Sequence, residues 1–163
     1  MAGSEIPNNE AAFRFVKEYP ITFTGGEKVA TDIRAGNYDF YRASSVKKFL
    51  HKLPKPVIGP ARLKIINFKG WILPQWIPEI FKSQGFVSAN FRHLLALGAW
   101  YPNILQDTGL RSIIALGTSA FTTENCSPAF FDELHGKKCK ALVEVSIDES
   151  WITDKAGFLA LPG

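Results

Sequence analysis

The segment from Ser112 to Ile147 limits the fold of this chain more than any other. It begins with Ile113, Ile114, Ala115 and Leu116, an unbroken apolar run suited to a strand buried on both faces. It ends with Ala141, Val143, Val145 and Ile147 alternating with Lys140, Leu142, Glu144 and Ser146, the period of two that a strand with unlike faces requires. Between these runs, Ser127-Pro128 and Gly136 match the preference of a helix for Ser at its N-cap, Pro just inside and Gly just outside. The pattern predicts strand, helix and strand over 112–147, the length of a βαβ unit. The alternation in the second strand argues against full burial, so that strand is expected at an edge or in antiparallel pairing.

Helical periods recur upstream. Val46, Phe49, Leu50 and Leu53 follow Ser45 at i, i+3, i+4 and i+7 and stop at Pro54, which predicts an amphipathic helix. Ser88 is expected to cap a longer helix bearing Phe91, Leu94, Leu95 and Ala99. Shorter helices are predicted over Asn9–Glu18 and from Pro78 to Gly85; Glu27–Ala35 fits both periods, Val29 and Ile33 at i, i+4 and Val29, Thr31 and Ile33 in alternation, and is assigned to helix with strand as the alternative. Strands are predicted from Pro20 to Phe23, from Tyr38 to Tyr41 and from Arg62 to Phe68. Both periods in one chain predict an α+β protein with a mixed sheet and four to five helices. With 163 residues, 46% of them hydrophobic and 13% aromatic, a single domain over 1–163 is expected and a disordered chain is excluded. The polar start, 1–9, is expected to be a tail or an assembly-contact arm.

The first 20 residues hold no apolar run of signal-peptide length, and no stretch approaches 18 apolar residues, so neither a targeting signal nor a transmembrane segment is predicted. The two cysteines, Cys126 and Cys139, match no zinc or thioredoxin spacing, which predicts free thiols in a reducing, intracellular compartment of cytoplasmic type. A zinc set of Cys126, His135 and Cys139 lacks a fourth ligand, and no metal or other cofactor is implied.

Charge is the chief pointer to a partner. Between Asp39 and Glu79 there is no acidic residue, yet Arg42, Lys47, Lys48, Lys52, Lys55, Arg62, Lys64 and Lys69 lie there with His51. The rest of the chain carries 11 basic residues against 15 acidic ones, so a net charge of +4 conceals strong polarity. On a helix, Lys47, Lys48, His51 and Lys52 fall opposite the apolar stripe, and on a strand Arg62 and Lys64 share a side. Packed together, these residues predict a face for nucleic acid or another polyanion, with Phe40, Tyr41, Phe68, Trp71 and Trp76 as stacking surfaces for unpaired bases. Lys on the outer side of an amphipathic helix is also ordinary solvation; the missing acid favours the binding face. Protein partners in a larger assembly or virion, with the chain as a structural subunit, form a third expectation.

The competing expectation is a small enzyme. Gly117 to Ser127 would run from a buried strand to a helix N-terminus, where backbone N–H groups favour anions or a nucleotide. Gly117, Thr118, Ser119 and Ser127 would hold the anion, and Cys126 beside the cap would be a nucleophile. The loop lacks the Gly-rich nucleotide signatures. Arg42, Ser119 and Glu144 occur in an order similar to that of the Arg-Ser-Glu ADP-ribosyltransferases. The likeness is three residues and an order, without flanking signatures.

Overall fold

The computed structural model describes residues 13–51, 53–121, 126–148, 151–152 and 155–163. In chain order, the first half contains β1 (Phe13–Phe23), α1 (Val29–Gly36), β2 (Phe40–Tyr41), α2 (Ala43–Leu50), β3 (Gly59–Phe68), β4 (Trp71–Ile72) and α3 (Ile77–Ser83). The second half contains β5 (Phe86–Ser88), α4 (Phe91–Trp100), α5 (Ile104–Thr108), β6 (Ser112–Ile114), β7 (Cys126–Leu134), β8 (Lys137–Ser146), β9 (Trp151–Ile152) and β10 (Ala156–Pro162). Short 3-10 turns cover Pro74–Trp76 and Leu116–Phe121. The class is α+β, as the two periods predict.

Seven strands run in the order β1-β3-β10-β6-β7-β8-β2, and β5 adds an eighth by pairing with β10. The sheet is mixed: β10 pairs parallel with β6 and β2 parallel with β8, while the other pairs are antiparallel. β10 lies between β3 and β6, and Ala156, Gly157, Phe158, Leu159 and Ala160 are all buried. Gly157 is required there, because a Cβ would stand 2.6 Å from Ile65 Cγ2 and 2.7 Å from Leu110 Cδ1.

The sheet separates two cores. On one side Leu63 and Ile65 of β3 pack with Val46, Phe49, Leu53, Phe91, Leu94 and Ile104, so α1, α2, α4 and α5 cover this face. On the other side Ile66 and Phe68 pack with Ile77, Phe81, Ile114 and Phe158 beneath α3. Alternation along β3 therefore sends neighbouring residues into different cores.

Three local expectations are overturned. Cys126–Leu134 is a strand, not a helix, so no βαβ unit forms over 112–147. It runs antiparallel to both β6 and β8, and His135 and Gly136 turn the hairpin with φ of 51° and 78°. Ser-Pro before and Gly after fit this hairpin as well as a helix, because two successive left-handed residues make the turn that suits strand twist. Ala129 and Phe130, on opposite faces of β7, are fully buried, which a flanked strand achieves; the Pro128 carbonyl accepts from Ala115 N at 3.1 Å.

The part of the predicted 9–18 helix within the described residues is likewise strand. β1 pairs along its whole length with β3 and buries Tyr19, Ile21 and Phe23, with a bulge between Phe15 and Lys17. A short isolated helix is marginal, and this long ladder outweighs its period. Residues 1–9, the expected arm, lie outside the described residues. Finally, Asn90, not Ser88, caps α4: its Oδ1 accepts from Arg92 N at 2.9 Å, and His93 Nδ1 accepts from Asn90 N at 3.0 Å. Ser88 ends β5.

Candidate functional site

β2 is the edge strand that brings the basic helix to the sheet. Phe40 and Tyr41 lie opposite Ala141 and Leu142 of β8, and Asp39 Oδ2 accepts from Lys140 N at 2.7 Å. α2 starts directly after, at Ala43 instead of Ser45, with Arg42 in the cap position and no side-chain cap. Val46 and Phe49 are buried, and Phe49 meets Phe91 edge-on at 5.5 Å, which seats α2 on α4. Lys47 and His51 are exposed on the outer side.

Lys48 does not belong to that outer face. Its Nζ turns toward the sheet, 2.6 Å from Glu144 Oε2 and 3.9 Å from Cys126 Sγ. The Lys48 hydrogen bond holds the Glu144 carboxyl below its ordinary pKa, against the opposing effect of burial. Ser45 Oγ lies 3.3 Å from the other carboxylate oxygen.

The strand half of the predicted face is also altered. Arg62 Nη2 and Lys64 Nζ each lie 3.0 Å from Glu18 Oε1, and the Lys64 hydrogen bond is the main reason that carboxyl is held below its ordinary value. Leu63 and Ile65 point into the core shared with α2, so Arg62 and Lys64 project from the opposite side of the sheet. Lys64 accordingly lies over the Phe86 ring, which packs against the second core. Helix and strand do not form one continuous face.

The other predicted residues divide similarly. Lys55 and Lys69 are exposed, and Lys52 lies outside the described residues. Phe40 and Tyr41 are 38% and 45% exposed, enough to offer ring faces to solvent. Phe68 is buried and Trp76 packs against the second core, so neither is a stacking platform. The side chain of Trp71 lies outside the described residues.

What the fold adds is a groove of about 720 Å³ between α1 and α2. Val29, Ile33 and Val46 contribute its apolar lining, Tyr41 its exposed ring, and Arg34 and Lys47 its charges; among the described residues no carboxylate lines it. Among the described residues, Arg34, Arg42 and Lys47 make no ion pair. Arg34 escapes the sequence reading because it precedes Asp39 and so falls outside the acid-free run. Its signal was the predicted helix over Glu27–Ala35, which could have been tested for packing beside the next one.

α1 is held in place by Tyr38 and Lys140. The Tyr38 ring fits a notch at Gly36 and Gly98, where a Cβ on either glycine would collide with it. Lys140 Nζ donates to the carbonyls of Gly36, at the helix C-terminus, and Pro102, and lies over the Tyr38 ring at 4.8 Å. Burial pushes its pKa down to about 8.

The predicted anion loop loses its premise, since no helix begins at Ser127. Gly117 N donates to Ala89 O at 2.8 Å, and a Cβ on Gly117 would lie 2.6 Å from Ser88 O. Thr118 is buried, and its Oγ1 accepts from Phe91 N at 2.7 Å, so these two residues lock the start of α4. Ser127 is buried within β7, and the side chain of Ser119 lies outside the described residues. Of the Arg-Ser-Glu set, Arg42 and Glu144 line one cleft of about 390 Å³ together with Ser45, and Ser119 is not among its described lining residues. His93 serves the α4 cap, and burial pushes its pKa down to about 4. His135 and Cys139 sit at the hairpin end of β7 and β8, while Cys126 begins β7, so a common zinc site is not formed. Among the described residues no group of three or more His, Cys, Asp or Glu side chains is placed to hold a metal ion. Among the described residues no helix is long and apolar enough to cross a membrane. No protein-family model, curated protein or solved structure matches the chain.

Proposed function

We propose that the protein binds a polyanion, nucleic acid foremost, through the α1/α2 surface and not through the helix and strand jointly. The observation that carries this reading is the groove whose charged lining, among the described residues, is Arg34 and Lys47, with Arg42 and His51 exposed on the adjoining helix. Phosphates are attracted to unneutralised cations, and displacement of their condensed counterions supplies the gain. Tyr41, in the same groove, provides a ring face, which favours unpaired over paired strands.

The test is a salt series of binding to single-stranded DNA and RNA, read by fluorescence anisotropy. Contact with three phosphates gives a log–log slope of about −2 on a single strand. No binding at low salt, or an affinity indifferent to salt, rejects the reading.

A further inference from the structure

Outside the α1/α2 surface, α2, β7 and β8 bring a nucleophile, a carboxylate and an ammonium together. Cys126 Sγ donates to Glu144 Oε2 at 3.3 Å, and Lys48 Nζ stands 3.9 Å from the same sulfur. Glu144 is itself placed by Lys48 at 2.6 Å and by Ser45 at 3.3 Å. A thiol beside an ammonium that a carboxylate holds in place is favoured as thiolate, the reactive form. The cleft of about 390 Å³ lined by Glu144, Ser45 and Arg42 gives small solutes a way to the carboxylate. Cys139 supplies an internal comparison. It is half-buried like Cys126, yet among the described residues its sulfur has no hydrogen-bond partner.

We infer that Cys126 is the peroxide-reactive thiol of this protein, oxidised to a sulfenic acid ahead of Cys139, with Lys48, held beside the sulfur by Glu144, stabilising the thiolate. The thiol proton passes to water, and the thiolate attacks one peroxide oxygen. The S–O bond forms as the O–O bond breaks. Sulfur loses two electrons, the peroxide is reduced, and the departing oxygen takes a proton from water to leave as water or an alcohol. Thiol and peroxide thus give sulfenic acid and water or alcohol, with no other reactant. The chemistry is independent of polyanion binding.

The experiment treats the intact protein with one equivalent of hydrogen peroxide in the presence of dimedone and follows adducts at both cysteines by peptide mass spectrometry. Cys126 is expected to label about tenfold faster than Cys139, because Lys48 favours its thiolate. Lys48→Met slows Cys126 about tenfold without changing Cys139, and Lys48→Arg restores most of the rate. Equal labelling in the native protein, or faster labelling of Cys139, overturns the inference without recourse to any variant. So does a Cys126 rate that neither Lys48→Met nor Glu144→Gln alters. Because Cys139 also reports loosening of the fold, a variant that speeds both thiols is set aside and the native ratio decides.

Discussion

The basic helix α2 and the basic strand β3 come from the same acid-free run, and folding gives them opposite electrostatic surroundings. On β3, antiparallel pairing places Glu18 of β1 directly across from Lys64, and the one carboxylate also reaches Arg62. The acid comes from 46 residues away, and one carboxylate offsets half of the charge that Arg62 and Lys64 bring to the strand. On α2, Val46 and Lys47 line a groove shared with α1, which contributes Arg34 to it instead of a carboxylate. Asp32 of α1 is half-buried outside the lining of that groove. A count along the chain describes a surface only after the neighbouring strands and helices are in place.

Acid should separate the two regions most strongly. α2 rests on α4, whose first turn depends on neutral His93; its folded pKa is about 4, against 6.5 for an unperturbed histidine. As pH falls through that interval the unfolded chain takes up a proton that the folded chain refuses, so about 3 kcal/mol of stability is lost. The Glu18 contribution has the other position on the pH axis: it is present above the unfolded value of 4.5 and lost only as pH falls through its lower folded value. Amide exchange across α4 and α2 should therefore quicken on acidification before exchange across β1 and β3 does. His93→Gln, which keeps an acceptor at the third helical position, should flatten the first transition in denaturant titrations. Earlier loss of protection in β1 and β3 would contradict this order.

Binding should separate them next. Arg34→Glu with Lys47→Glu is expected to weaken oligonucleotide binding about thirtyfold at low salt and to make the salt slope shallower, since two phosphate contacts become repulsive. Arg62→Gln should change affinity less than about twofold under the same conditions, because its charge already faces Glu18 on the far side of the sheet. Equal losses from both substitutions would return the two regions to a single face.

The elements fixed by local period were the legible ones: α2, α4, β3 and β8 need only their own spacing of apolar residues. β7 was not, because Ser127-Pro128 and Gly136 punctuate a hairpin strand as readily as a helix, and the decision rests on partners at both sides. Nor does periodicity assign β10, whose five buried residues reflect its position between β3 and β6. In the candidate site, the exposure of Lys47 followed from the helical pattern, whereas the turning of Lys48 to Glu144 depends on a residue 96 positions away. Long-range register decides which cations remain available, and sequence spacing carries no such register.

Stacking gives a smaller separation. Tyr41→Ala should weaken binding to single strands by about 1 kcal/mol, roughly fivefold, and leave duplex binding unchanged. An equal effect on duplex would assign Tyr41 to packing beneath α2 instead of contact with bases.

The smallest expected effect gives the sharpest contrast. Glu18→Gln removes the acid that faces Arg62 and Lys64, and so raises the net charge of the chain by one while adding unneutralised charge to β3. If attraction followed net charge, oligonucleotide affinity would rise and its salt slope would steepen. With the contact surface on α1 and α2, across the sheet and beyond a Debye length of about 10 Å at moderate salt, affinity should change less than about twofold. The substitution should instead act on the strand pair: Lys64 loses its carboxylate, and the β1 and β3 amides exchange faster at neutral pH. A several-fold gain in affinity would place the polyanion on the β3 face and reverse the comparison.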